Sequence, residues 1–265
     1  MQSLQKITHL IIDMDGVLYR GDQAMPCLSE FISFLRERPI PFVLATNNSS
    51  RSPEEYVSKL ARMGVSVSAS EILVSGQATA RFLAHEYPRG TRVHVFGMPA
   101  LKQAMLAEGF VVADEDVTLV VASMDREVTF EKLKKATLLI RGGARFIATN
   151  LDPTNPSEEG LVPGTGAMIA ALEVASGVKA TSIGKPEPTM YQLAMEQMGA
   201  VSATTATIGD RVDTDIVGGK RAGLTTICVL SGTSDRLEAE AAESDYIFDD
   251  IAHLYETWRN PSWRN

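Results

Sequence analysis

Short apolar runs alternate with amphipathic helical patterns along the whole chain, and few folds accommodate that order. The runs His9–Ile12, Pro41–Ala45, Arg92–Phe96, Thr118–Ala122, Arg145–Ala148, Thr181–Ile183, Thr205–Ile208, Thr225–Leu230 and Tyr246–Phe248 read as strands. Several are apolar at nearly every position, as parallel strands buried on both faces should be. The segments between them carry helix signals. Ser52-Pro53-Glu54-Glu55 combines a capping box with proline at the first helical position, and Gly64 closes that helix. Pro186 and Gly199 bracket a second helix, and Gly223 ends a third. Such alternation predicts an α/β fold of βαβ units on a mostly parallel sheet.

Composition narrows the function classes. With 45% hydrophobic residues in 265, the chain can bury a substantial core, which excludes global disorder. A net charge of −8 argues against a nucleic-acid polymer as partner. Two cysteines, Cys27 and Cys228, make no disulfide framework and fit a reducing compartment. The N-terminal residues lack the apolar stretch of a signal peptide, and the uncharged run Val117–Met124 is too short to span a bilayer. A cytoplasmic protein with no membrane partner is expected.

Several strands run directly into polar clusters, where open parallel sheets bind their ligands. Leu10-Ile11-Ile12 leads into Asp13-Met14-Asp15-Gly16, and alternate residues on extended chain can face one site. Phe42-Val43-Leu44-Ala45 ends in Thr46-Asn47-Asn48-Ser49, whose hydroxyl and amide donors suit phosphate oxygens. Lys185 stands between a strand and a proline-started helix, and Asp210, Asp213 and Asp215 follow Thr207-Ile208-Gly209. Each element alone also reads as an ordinary turn, helix cap or solvated lysine. Three close carboxylates without His or Cys nearby nevertheless suit Mg²⁺ rather than Zn²⁺. Together the clusters supply a carboxylate nucleophile, a second carboxylate for proton transfer, a cation site, and hydroxyl and ammonium groups. Phosphoryl transfer needs that set.

In this order and spacing the chain resembles the haloacid dehalogenase-like (HAD) hydrolase superfamily over nearly its whole length. The resemblance implies a Rossmann-like core, with Asp13 as the nucleophile that forms an aspartyl-phosphate. It implies Asp15 as general acid and then base, and Thr46, Asn47 and Lys185 as phosphate-binding groups. Mg²⁺ would be held by Asp13, the backbone carbonyl of Asp15 and Asp210, with Asp215 behind them. Asp213 has no role in this scheme beyond capping the following helix. A carboxylate at position 15 favours a phosphatase or mutase over a dehalogenase or a P-type ATPase.

The interval from Asp15 to Thr46 holds a small flap (Val17–Asp22) and the helix Leu28–Arg38. That from Thr46 to Lys185 is far longer than one crossover needs. Helices at Ser52–Gly64 and Gln77–Glu86 open it, and residues 90–179 read as an inserted α/β cap, leaving 1–89 and 180–265 as the core. This layout, with Phe146-Ile147-Ala148-Thr149-Asn150-Leu151-Asp152 and Pro163-Gly164-Thr165-Gly166, resembles the NagD-like, p-nitrophenylphosphatase-like branch. Asn150 and Asp152 are then candidate substrate-facing residues, and an Asn/Asp/Pro turn is the plainer alternative. The resemblance implies a small phosphorylated metabolite as substrate and a homodimer formed through the cap. A phosphotransferase or mutase using the same Asp13, or a non-catalytic binding module, are the competing readings.

Overall fold

The computed structural model describes residues 4–157 and 160–260, and the chain divides into two compact units. The first takes the residues up to Thr46, Pro53–Leu73 and those from Lys185 onward; the second takes Asn47–Ser52 and Val74–Gly184.

The first unit is built on a six-stranded sheet. Its order is Tyr246–Phe248, Thr225–Val229, Thr205–Gly209, His9–Ile12, Phe42–Thr46 and Ile72–Val74. His9–Ile12 pairs in parallel with both its neighbours, and Thr225–Val229 does the same. All residues of Phe42–Thr46 and Thr205–Gly209 are buried, although successive side chains point to opposite faces; both faces are therefore covered. Helix Pro188–Met198 packs on His9–Ile12 and Phe42–Thr46. Helices Leu28–Glu37 and Ile251–Arg259 pack on each other, with the Phe34 ring edge-on to Tyr255 and Trp258 at 5.5 and 5.9 Å. From His9–Ile12 the chain moves to Phe42–Thr46 on one side and later returns to Thr205–Gly209 on the other. That reversal opens a crevice at the carboxyl ends of these strands. Ile12 stands level with both Leu44 and Ile208, so Asp13, Thr46 and Asp210 all emerge at the same edge.

The second unit has its own parallel sheet, ordered Thr181–Ser182, Arg145–Ala148, Leu119–Ala122, Arg92–Phe96 and Val111–Val112. Strand alternation sorts its core into two faces. Val93, Leu119, Val121 and Ile147 pack with Ala80, Leu83, Leu101 and Met105 of helices Ser75–Glu86 and Pro99–Ala107. Val120, Ala122, Phe146 and Ala148 pack with Ala136, Ile140, Ile169 and Leu172 of helices Phe130–Arg141 and Thr165–Ser176. An antiparallel pair, Thr154–Ser157 with Gly160–Pro163, completes the unit.

Two features differ from the boundaries expected at 90 and 179. Helix Ser75–Glu86 covers the second sheet through Ala80 and Leu83. Strand Thr181–Ser182, expected in the core, pairs with Arg145–Ala148 of the second sheet instead. Ile72–Val74 and Val111–Val112 are strands too short to stand out from the helical patterns around them. Among the described residues no helix is long and apolar enough to cross a membrane.

Candidate active site

The central strand delivers Asp13 directly to the crevice. Its backbone N–H donates to Ile208 O at 2.8 Å, so the nucleophile candidate is held by the sheet itself. Beyond it the chain closes a tight turn. The N–H groups of Leu18 and Val17 donate to Met14 O at 2.9 and 3.3 Å, and Gly16 N–H donates to Tyr19 O at 2.8 Å. Asp15 forms an isolated bridge with Tyr19, so the second carboxylate is carried by the turn rather than the sheet. The hairpin Tyr19–Arg20 with Gln23–Ala24 follows, where a flap is expected. Gly16 has φ +84°, and a Cβ there would lie 2.6 Å from the Asp210 carboxylate. At Gly232 the clearance is smaller still, 1.9 Å to Asp210 Oδ2. Only glycine fits at either position without displacing Asp210.

Lys185 holds the site together electrostatically. Its Nζ donates to Asp13 Oδ1, to Asp215 Oδ1 at 2.7 Å and to Ala45 O at 3.0 Å, and the residue is 3% exposed. One carboxylate oxygen from each of Asp13, Asp210 and Asp215 lies within 4.8 Å of the others. The three carry more negative charge than one ammonium offsets. Burial holds the Asp13 carboxyl well above its usual range; the Lys185 ammonium opposes it, and the Asp215 and Asp210 charges add to it. Burial, with the Asp215 charge next, pushes Asp210 up to about 6. Burial alone would lower the Lys185 ammonium, but Asp13 and Asp215 beside it raise it well above an ordinary lysine.

The residues fit a hard divalent cation. Asp210 Oδ2 accepts from Thr233 N–H at 2.8 Å, while its buried Oδ1 has no hydrogen-bond partner among the described residues. Such an atom is costly unless a ligand satisfies it. An all-oxygen donor set of excess negative charge suits Mg²⁺ chemistry. Asp215 has both oxygens engaged, by Lys185 and by Arg211 N–H at 3.1 Å, which agrees with a place behind the ligands.

The remaining candidates divide. Thr46 is buried at the end of its strand, beside Ala45 whose carbonyl anchors Lys185. Asn47, Asn150 and Asp152 belong to the second unit and meet one another there. Asn47 Nδ2 donates to Asp152 Oδ1 at 3.1 Å, and Asn150 Nδ2 donates to Asn47 O at 2.7 Å. Asn150 is 1% exposed, and its Oδ1 accepts from Asp152 N–H at 3.1 Å. Its amide is thus engaged on both sides, which favours the turn-forming reading over a substrate-facing one. Asp213 caps no helix: it points outward and pairs with the Arg211 guanidinium at 2.9 and 3.2 Å.

Tyr191 is a site residue that motif reasoning misses. Its buried hydroxyl donates to Thr214 O and Asp215 O, both at 3.2 Å, and so fixes the π-helical turn Val212–Ile216. Its one signal is an aromatic residue a turn into the helix that Lys185 precedes. Ser231 is similarly silent in sequence; its Oγ donates to Gly16 O at 2.6 Å.

A carboxylate-rich crevice at the switch point of a parallel sheet, completed by a buried lysine, defines a class that comparison confirms. The haloacid dehalogenase-like hydrolase family model matches residues 10–111, and a second, HAD-hydrolase-like model matches 182–254. The acid sugar phosphatase of Staphylococcus saprophyticus is 40% identical over 244 residues, covering 91% of this chain and 94% of that protein. Among solved structures, the 4-nitrophenylphosphatase of Thermotoga maritima superposes with a TM-score of 0.91 at 39% identity, covering 96% of this chain and 98% of that one. NagD from E. coli K-12 gives 0.87 at 34% identity over 93% and 97%. The glycerol phosphate phosphatase of Mycobacterium tuberculosis, solved in complex with magnesium, gives 0.89 at 33% over 96% and 78%. The chain belongs to the haloacid dehalogenase-like hydrolase superfamily. Within it the chain falls in the NagD-like, p-nitrophenylphosphatase-like branch, and it is a phosphatase acting on small phosphorylated substrates.

Proposed function

We propose that the protein is a Mg²⁺-dependent phosphatase that hydrolyses small-molecule phosphate monoesters through an aspartyl-phosphate on Asp13. The observation that carries this reading is the convergence of Asp13, Asp210 and Asp215 on Lys185 at the sheet edge, with Asp210 Oδ1 left unsatisfied. An Asp13 carboxylate oxygen attacks phosphorus as the bond from phosphorus to the substrate alcohol breaks, and Asp15 gives its proton to the departing oxygen. Asp15, now ionised, takes a proton from water; the water oxygen attacks phosphorus, the Asp13–phosphorus bond breaks and phosphate leaves. Lys185, aimed by Ala45 O and Asp215, holds the phosphoryl oxygens together with the Thr46 hydroxyl. Asp13, the Asp15 carbonyl and Asp210 would hold the cation, which supplies positive charge to the phosphate oxygens when bound.

The names of the relatives support sugar and polyol phosphates as the substrate class to test first. We propose the second unit as the inserted cap of the family, extended beyond residues 90–179 by helix Ser75–Glu86 and strand Thr181–Ser182. A homodimer formed through that unit is part of the same proposal, and sedimentation would detect it. The free cysteines support a cytoplasmic setting.

The test is phosphate release over a panel of sugar phosphates, glycerol phosphates, phosphoglycolate, nucleotides and pyridoxal phosphate, ranked by kcat/KM. Hydrolysis that stops with EDTA and returns with Mg²⁺ is expected. Chelator-insensitive turnover, or no hydrolysis of any monoester, would overturn the reading.

A further inference from the structure

Lys59 is a charged residue in an unexpected place. It lies in helix Pro53–Arg62 with a side chain only 7% exposed. Lysine is seldom buried unless its charge is offset. Two groups of the hairpin contribute to that offset here. Lys59 Nζ sits 3.7 Å from the centroid of the Tyr19 ring and 3.9 Å from Asp22 Oδ1. Tyr19 is fully buried, and an ammonium over an aromatic face is attracted most strongly where water is excluded.

Tyr19 is the residue on which the Asp15 turn closes. Its carbonyl accepts from Gly16 N–H at 2.8 Å, its N–H reaches Met14 O at 3.4 Å, and it is the bridge partner of Asp15. Asp13 has a different anchor, the Ile208 carbonyl of the neighbouring strand. A force on the Tyr19 ring therefore acts on the turn that carries Asp15, while Asp13 keeps its own anchor in the sheet.

We propose that Lys59 is a positioning residue for Asp15, acting through Tyr19. The inference rests on Asp15 being the proton donor to the leaving group. Its consequence is selective. Departure of p-nitrophenolate needs little help from a general acid, whereas departure of an alkoxide needs it fully. A displaced Asp15 should therefore penalise alkyl phosphates and spare p-nitrophenyl phosphate. Because kcat/KM reports only steps up to release of the alcohol, the later role of Asp15 as base does not blur the comparison.

The experiment measures kcat/KM in the full-length, Mg²⁺-loaded protein for p-nitrophenyl phosphate and for the best alkyl phosphate of the panel. Lys59→Met should lower the alkyl value about tenfold or more while p-nitrophenyl phosphate stays within about twofold, against the 10²–10⁴ that a general acid contributes. Lys59→Arg, which keeps the charge over the ring, should recover most of the loss. Equal losses on both substrates, or no loss on either, would overturn the proposal. Asp15→Asn run alongside separates the two claims. If it shows the substrate split and Lys59→Met does not, the positioning role fails alone; if Asp15→Asn shows no split, the assignment of Asp15 fails first. Should Lys59→Met not fold, Asp22→Asn at the exposed end of the same contact must give the split in smaller size, and its absence would sink the idea.

Discussion

Each unit of this chain carries a parallel sheet, and in each the strands end in polar residues, but the two ends are satisfied in opposite ways. In the second unit Ser49, Ser123, Thr149, Ser75 and Asn150 are buried and neutral, and they bond to one another. Ser49 Oγ meets Ser123 Oγ, Thr149 Oγ1 donates to Ser123 Oγ at 2.9 Å, and Ser75 Oγ donates to Asn47 O at 2.6 Å. In the first unit the strand ends carry Asp13, Asp210 and Asp215 around one lysine, with an oxygen left over. A closed neutral network rigidifies a fold. An open cluster with excess negative charge retains unmet electrostatic demand, which a cation can meet. The same sheet plan thus serves structure in one place and chemistry in the other.

Substitutions should separate the two ends by kind of effect. The largest change is expected for Asp13→Asn: loss of the proposed nucleophile should reduce turnover at least about 10⁴-fold, with circular dichroism unchanged. Lys185→Met should strike stability as well as turnover, because it leaves buried carboxylates without their counter-charge. Urea unfolding without divalent cation should show a loss of about 3 kcal/mol, partly recovered by Mg²⁺.

Metal binding should show the next largest effect, with a definite pH dependence. Asp210 titrates near 6 when folded and near the ordinary 3.8 when unfolded, so between those values the folded state holds the extra proton. Cation-free protein should therefore lose stability as pH rises through that window. Cation binding needs the ionised carboxylate, so stabilisation by Mg²⁺, about 2.7 kcal/mol at a hundredfold excess over Kd, should grow over the same window. Asp210→Asn should weaken both trends in a thermal-shift series, with Asp13 supplying what remains of the first.

In the neutral network, Asn150→Ala removes a buried donor to Asn47 O and should cost about 1–3 kcal/mol in unfolding experiments while kcat stays within tenfold. A collapse of kcat with stability intact would return Asn150 to the substrate-facing group. Smallest of all, Asp213→Ala breaks an exposed pair with Arg211 and should change stability by under about 1 kcal/mol and activity hardly at all.

Much of the active end is legible in the sequence because its signals are local. Leu10-Ile11-Ile12 is apolar on both faces, and Asp13, Thr46 and Asp210 lie at or just past the ends of strands that pair in register. What sequence leaves open depends on contacts between distant segments. Ser75–Glu86 is an amphipathic helix whichever sheet it covers, and only the packing of Ala80 and Leu83 assigns it to the second unit. Asn150 and Asp152 look alike as turn or ligand residues until the Asn47 carbonyl is seen to take the Asn150 amide. Tyr191 and Lys59 carry no motif at all; their roles lie in what a hydroxyl or an ammonium meets across the fold.

The most direct measurement is chemical trapping of the covalent intermediate. Enzyme quenched in acid during steady turnover, reduced with borohydride and digested, should yield a peptide in which Asp13 alone is converted to homoserine, in an amount that rises with substrate saturation. Turnover that proceeds at full rate with Asp13 unmodified, or with the label on another carboxylate, would contradict the assignment of Asp13 as the phosphoryl acceptor.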